Sequence, residues 1–181
     1  TFGARNIGIG QKALNANTTG CDNVALGGYG LYGNITGNSN FAVGFLSLYA
    51  NTGGSNNTAI GCCALRCNTV GNSNVAIGIC ALFGNKTGCY NIALGAQAIR
   101  DNIYGTNNFA AGYTALAANT CGSNNTAIGS GTLGANTTGV NNTAIGVNTL
   151  CSNTVGNENI AFGSSALALN KTCLLYTSDA A

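Results

Sequence analysis

Few groups in this chain could do chemistry, and their spacing limits what that chemistry could be. The sequence contains no histidine, and charged residues make up 6% of it. Through residue 172 the only acids are Asp22, Asp101 and Glu158, far apart in sequence. General acid–base catalysis needs both groups within hydrogen-bond reach of one substrate, which acids so scattered do not provide. No enzymatic activity and no cofactor are expected. Cysteine is the richer set: Cys21, Cys62, Cys63, Cys67, Cys80, Cys89, Cys121 and Cys151, with Cys173 near the end. Cys62, Cys63, Cys67 and Cys80 lie close enough in sequence to suggest a zinc site, but Cys-Cys-x-x-x-Cys lacks the paired spacing such sites use, and no metal is expected. The cysteines read as small inert residues or as disulfide partners, and register decides which pair is in reach.

That register comes from an internal repeat. Asn recurs at 6, 23, 40, 57, 74, 91, 108, 125, 142 and 159, without insertion or deletion. With that Asn as slot 0 of a seventeen-residue unit, slot 4 is Gly from Gly10 to Gly163 and slot 2 is Ala except at Gly8. Slot 8 is Leu except at Ile99, slot 11 is Asn from Asn17 to Asn170, and slot 14 is Gly from Gly20 to Gly156. A strict period of this length is the signature of a solenoid. Slots 1 and 3 carry aliphatic, aromatic or β-branched residues around the small slot 2, as in Val75-Ala76-Ile77, and this alternation predicts a short strand. A second short strand is expected over slots 6 to 9, and turns over slots 11 to 16 with their Asn-Thr-Thr-Gly chemistry. Helix is excluded by two fixed glycines per unit and an apolar spacing of two.

The charges in the repeats stand only at slots 6, 9, 10, 12 and 16, never at 1, 3 or 8. Charged side chains avoid burial, so slots 1, 3 and 8 are expected to face the core, leaving slots 2, 4 and 7 as a small outer face. The expected architecture is all-β: a parallel β-roll or β-solenoid of ten coils, stacked about 4.8 Å apart. Its core is so thin that association with further copies is expected, through the small face. Residues 1–172 form a single repeat array that starts and stops inside a repeat, as expected of a fragment. Residues 173–181 break the register, since Cys173 stands where Gly is due, and resemble translated read-through of a sequencing adapter from an environmental assembly. They are expected to be non-native.

Register also sorts the candidate sites. Cys63 and Cys80 share slot 6 in consecutive coils, at a Cα spacing that suits a disulfide. Slot 9 reads Tyr32, Tyr49, Arg66, Phe83 and Arg100 over five consecutive coils, with Tyr29 nearby at slot 6. Stacked at coil spacing, these would alternate rings and guanidinium groups in cation–π contact, either as a partner-contact stripe or as a self-stabilising ladder. Asn at slots 0 and 11 would form two hydrogen-bonded ladders up the rod. Asn34, Asn85 and Asn136 also read as N-glycosylation acceptors.

Asn-Val-Ala-Leu-Gly at 23–27, Asn-Val-Ala-Ile-Gly at 74–78 and Asn-Ile-Ala-Leu-Gly at 91–95 resemble the core of YadA-like head repeats. Such repeats build trimeric autotransporter adhesins and occur in phage tail-fibre-type proteins. The resemblance implies a left-handed roll, a homotrimer, placement at a cell surface or virion, and attachment to a host-surface protein or glycan. The present unit is longer by one Asn-Thr-Thr-Gly-type turn and has Leu where the family favours smaller residues at slot 8. The net charge of +2 and the lack of a basic run exclude nucleic acid as the expected partner, and no apolar stretch suits a membrane span. The function expected is that of a non-enzymatic rod acting through many weak contacts. An ice-binding solenoid is the alternative, because slot 12 carries a Thr array that Ile35, Lys86, Ile103 and Lys171 interrupt; a purely structural spacer is the third reading.

Overall fold

The computed structural model describes residues 3–172, so the expectation for 173–181 lies outside the described residues. Each coil contributes one three-residue strand, from β1 (Ile7–Ile9) to β10 (Ile160–Phe162), with β4 (Thr58–Ile60) and β5 (Val75–Ile77) near the middle. The strands form one parallel sheet in sequence order, and each pairs with the next exactly one repeat away in register: Thr58 with Val75, Ala59 with Ala76, Ile60 with Ile77. The expected all-β parallel solenoid of ten seventeen-residue coils is the observed fold. Strands this short persist because each interior strand, β2 to β9, is paired on both sides along the stack, which meets the obligatory hydrogen bonding of the backbone.

The core differs from expectation. Ala at slot 2 points inward: Ala25, Ala42, Ala59, Ala76, Ala93, Ala110, Ala127, Ala144 and Ala161 are fully buried. Facing this wall of methyl groups is the slot 8 row, Leu31 through Leu150 with Ile99 among them, also fully buried. The small slot 7 residues complete the interior, for example Ala64 and Ala81. Slots 1 and 3 turn outward, with Ile77 40% and Ile92 38% exposed. The expectation that slots 1 and 3 are core and slots 2 and 7 belong to an outer face is therefore overturned, whereas the slot 4 glycines are nowhere buried. The coil is too narrow for two large side chains across its width. One Leu spans it, and only a methyl fits opposite.

The expected second strand is also absent. Slots 6 and 8 are left-handed in every described coil, as at Cys63 (φ 58°) and Leu65 (φ 50°). A left-handed non-glycine residue costs about 1–2 kcal/mol. Here it turns the slot 6 amide toward the preceding coil and the slot 8 amide toward the following one. Cys63 donates its N–H to Phe45 O of the preceding coil at 2.9 Å, and Leu65 donates to Ala81 O of the following one at 3.0 Å. Slot 4 needs glycine on two counts. Gly61 has φ 130°, and a Cβ there would stand 2.6 Å from Gly78 O.

Two predictions follow from the inverted core. Ala76→Val adds volume where a methyl just fits and destabilises the rod by about 1–3 kcal/mol. Ile77→Thr one residue on changes the stability of the isolated coil stack by less than about 1 kcal/mol. Chemical denaturation of both variants checks the pair, and the reverse order would restore the bulky face to the core.

Candidate functional site

Most polar groups of the coil serve the scaffold. The two Asn rows are buried in the interior coils, where their amides hydrogen-bond both between coils and within the coil. Asn40 Nδ2 donates to Asn23 Oδ1 of the preceding coil at 3.0 Å and to Gly54 O at 2.8 Å. Asn51 Nδ2 donates to Asn34 Oδ1 at 2.8 Å and to the same Gly54 O at 2.9 Å. The slot 14 carbonyl thus joins the two ladders within each coil. A Cβ on Gly54 would lie 2.4 Å from Asn51 Oδ1, so glycine is needed there for space. The expected ladders are present. The apparent glycosylation acceptors Asn34, Asn85 and Asn136 belong to them and are fully buried with Nδ2 engaged, so the folded rod offers none of the three to an enzyme.

A third ladder, at slot 15, escaped the sequence reading. Asn38 N donates to Ser55 Oγ at 3.0 Å, Ser55 N to Asn72 Oδ1 at 2.7 Å and Asn72 N to Cys89 Sγ at 3.2 Å. Slot 15 holds a side-chain acceptor, Asn, Ser, Thr or Cys, in eight of ten units, and that bias was the available signal. It gives Cys21 and Cys89 a structural role, each thiol also donating to the carbonyl two residues earlier at 3.4 Å.

The eight described cysteines are free thiols, Cys63 and Cys80 among them. The close sulfur contact is Cys62 with Cys63, at 3.5 Å. Burial pushes the Cys63 thiol up to about 11, with help from its hydrogen bond to Cys62 and the neighbouring Cys80, against a smaller opposing pull from Arg66. No cluster of three potential metal ligands exists among the described residues.

The slot 9 residues form the expected stack over four of the five coils. Tyr32 and Tyr49 lie parallel, 5.1 Å between centroids and 7° between planes. The Arg66 guanidinium sits over Tyr49 at 5.7 Å and over Phe83 at 5.5 Å. Arg100 leaves the stack to pair with Asp101 at 2.5 Å and to donate to Gln97 Oε1 at 3.3 Å. Slots 5 and 6 extend the same surface: Tyr29 meets Tyr32 at 5.7 Å and Phe45 edge-on at 6.1 Å, and Lys12 Nζ lies 6.0 Å from the Tyr29 ring. In the stacked part, Tyr49 is covered on both faces, by Tyr32 and by Arg66, and Phe83 on the face toward Arg66. No pocket opens among the described residues, so any ligand must be met on an open surface.

No protein-family model, curated protein or solved structure matches this chain.

Cys63 should lag Cys62 in alkylation by iodoacetamide at pH 8, where a thiol pushed up to about 11 holds little thiolate; fragment-ion mass spectrometry reads the two positions separately. Tyr49→Ala, which removes a rung between Tyr32 and Arg66, lowers stability by about 1–2 kcal/mol by thermal melting.

Proposed function

We propose that this chain is the non-enzymatic rod of a surface attachment fibre, similar in role to YadA-like head repeats, working at a cell surface or virion as a homotrimer. The observation that carries this reading is the outward face of the sheet. Slots 1 and 3 carry side chains such as Phe41, Val43, Ile60, Ile77, Ile92 and Ile128, and none of the ten coils places a charge there. Charges stay away from this face even though it lies on the surface of one chain. A strip about 48 Å long and about 10 Å wide amounts to about 500 Å², near the upper end of what single soluble chains leave open. Flat, uncharged and regular, it matches a second copy of itself better than it matches water. The association expected from sequence is retained, but its surface moves from slots 2, 4 and 7 to slots 1 and 3.

A rod with side chains repeating at coil spacing can bind weakly at many points and still hold firmly through effective concentration. The ice-binding alternative is less well supported. The slot 12 hydroxyls are committed to the next coil, as in Thr52 to Thr69 O at 3.1 Å and Thr69 to Lys86 O at 2.9 Å, so their hydrogens are not free to order water.

Sedimentation equilibrium tests the assembly: the expected species is a trimer, and Ile77→Glu with Ile128→Glu should return it to monomer with its β spectrum intact. Beads coated with the trimer should adhere to cell surfaces. A monomeric wild-type rod, or thermal hysteresis without adhesion, would contradict the reading.

A further inference from the structure

Against so uniform a scaffold, the positions that vary while facing outward are where recognition can reside. Slots 5, 6 and 9 vary most informatively. From the first coil to the seventh they supply Lys12, Tyr29, Tyr32, Phe45, Tyr49, Arg66, Phe83, Arg100 and Tyr113. In the last three coils the same slots hold no aromatic and no cation: Ser130, Gly131 and Gly134, then Val147, Asn148 and Cys151, then Ser164, Ser165 and Ala168. Stability of the stack does not require the aromatic set, because those three coils form without it.

The electrostatics of this surface are one-sided. Among the described residues, Asp22 is taken by Arg5 and Asp101 by Arg100, each through an ion pair of 2.5 Å. Lys12 and Arg66 form no ion pair. Arg66 is costly as a purely structural residue. Its Nε is buried between the rings with no acceptor, whereas another aromatic in its place would stack without leaving a donor unmet. What Arg66 gains there is rigidity, since its planar guanidinium is held between Tyr49 and Phe83 and little freedom remains to be lost on binding.

We propose that Lys12, Tyr29, Phe45, Tyr49, Arg66 and Phe83 form a rail for an acidic polysaccharide lying along the rod. Its carboxylate or sulfate groups meet Lys12 and Arg66, its hydroxyls meet the tyrosine phenols, and its C–H surfaces pack on the ring edges and on exposed Phe45. This assignment rests on the attachment reading above and names its ligand class. Single-stranded nucleic acid fits less well, because bases stack on open aromatic faces, whereas Tyr49 is sandwiched between Tyr32 and Arg66 and one face of Phe83 is taken by Arg66. An acidic peptide fits less well too. Strand addition needs a free backbone edge, and along the stack the amides at slots 6, 8 and 10 already bond to neighbouring coils.

Biolayer interferometry with the full chain tests the rail, using immobilised alginate as a polyuronate, dextran sulfate, and uncharged dextran. Binding to one or both acidic polymers and not to dextran is expected, and the two arms separate carboxylate from sulfate recognition. Lys12→Gln with Arg66→Gln should weaken binding about tenfold, while Lys86→Gln at slot 12 leaves it unchanged. Gln is already accommodated at slot 6 in Gln97, so the Lys12→Gln single variant guards against loss of fold and should itself weaken binding. The proposal is overturned if neither acidic polymer binds, if the double variant binds as well as the wild type, or if polyglutamate or single-stranded DNA binds as tightly as the polysaccharides. A rod that adheres to cells yet ignores both polymers overturns this inference alone and leaves the attachment reading standing.

Discussion

The structure depends on a buried amide. Each interior coil places two Asn side chains in its interior, and each amide hydrogen-bonds to the coil beside it and to the slot 14 carbonyl of its own coil. A core of Ala and Leu alone is thin, and burying one Leu contributes about 2 kcal/mol. Removing one rung of an Asn ladder leaves buried groups unmatched at about 1–3 kcal/mol each. The polar ladders therefore rank with the apolar core in holding the rod. They also dictate the repeat. An Asn amide reaches its counterpart only if the coils are in register, so one inserted residue would break both ladders at once. The strict period follows from that geometry. Even the end of a ladder shows the constraint, because Asn153 Oδ1, one step from the last described coil, is buried without a donor.

The ladders have a further consequence for the surface. Every fixed slot is occupied by the demands of stacking: glycine at slots 4 and 14 by close backbone approach, Asn at slots 0 and 11 by the amide chain, Ala and Leu by the width of the interior. Among the remaining slots, two sets make surfaces of different character. Slots 1 and 3 make an uncharged, largely apolar sheet face along the ten coils, the surface proposed above for self-association. Slots 5, 6 and 9 make a face that is aromatic and cationic along only part of the rod, the surface proposed above to meet an extended anionic partner. The separation leaves room on one coil design for both the assembly and the recognition proposed above without either disturbing the core.

The period, the parallel stacking, the ladders and the slot 9 stack were all legible in the sequence, because each depends on what recurs. Other features were not. The charge pattern correctly separated slots 1 and 3 from the solvated slots, but a face that avoids charge can be a core or a surface awaiting a partner, and the pattern of Val75-Ala76-Ile77 is the same for both. The width of the coil decides, and width is a tertiary property. The left-handed residues at slots 6 and 8 were hidden for a different reason. Leu disfavours that conformation in isolation, so Leu65 carried no local hint of a backbone shape that exists only because its N–H finds Ala81 O. Arg100 departed from the expected stack because the adjacent Asp101 offered two charge-assisted hydrogen bonds, which outweigh one cation–π contact.

Hydrogen exchange of the Asn side-chain amides, followed by NMR in deuterated water, tests the central claim most directly. The account predicts that the Nδ2 protons of Asn40, Asn51, Asn57, Asn68 and Asn74 exchange as slowly as the backbone amides of the strands beside them, while those of exposed Asn56 exchange at the rate of a free side chain. Rapid exchange at the slot 0 and slot 11 residues would show that the amides are not locked between coils, and the account of what holds this rod together would fail.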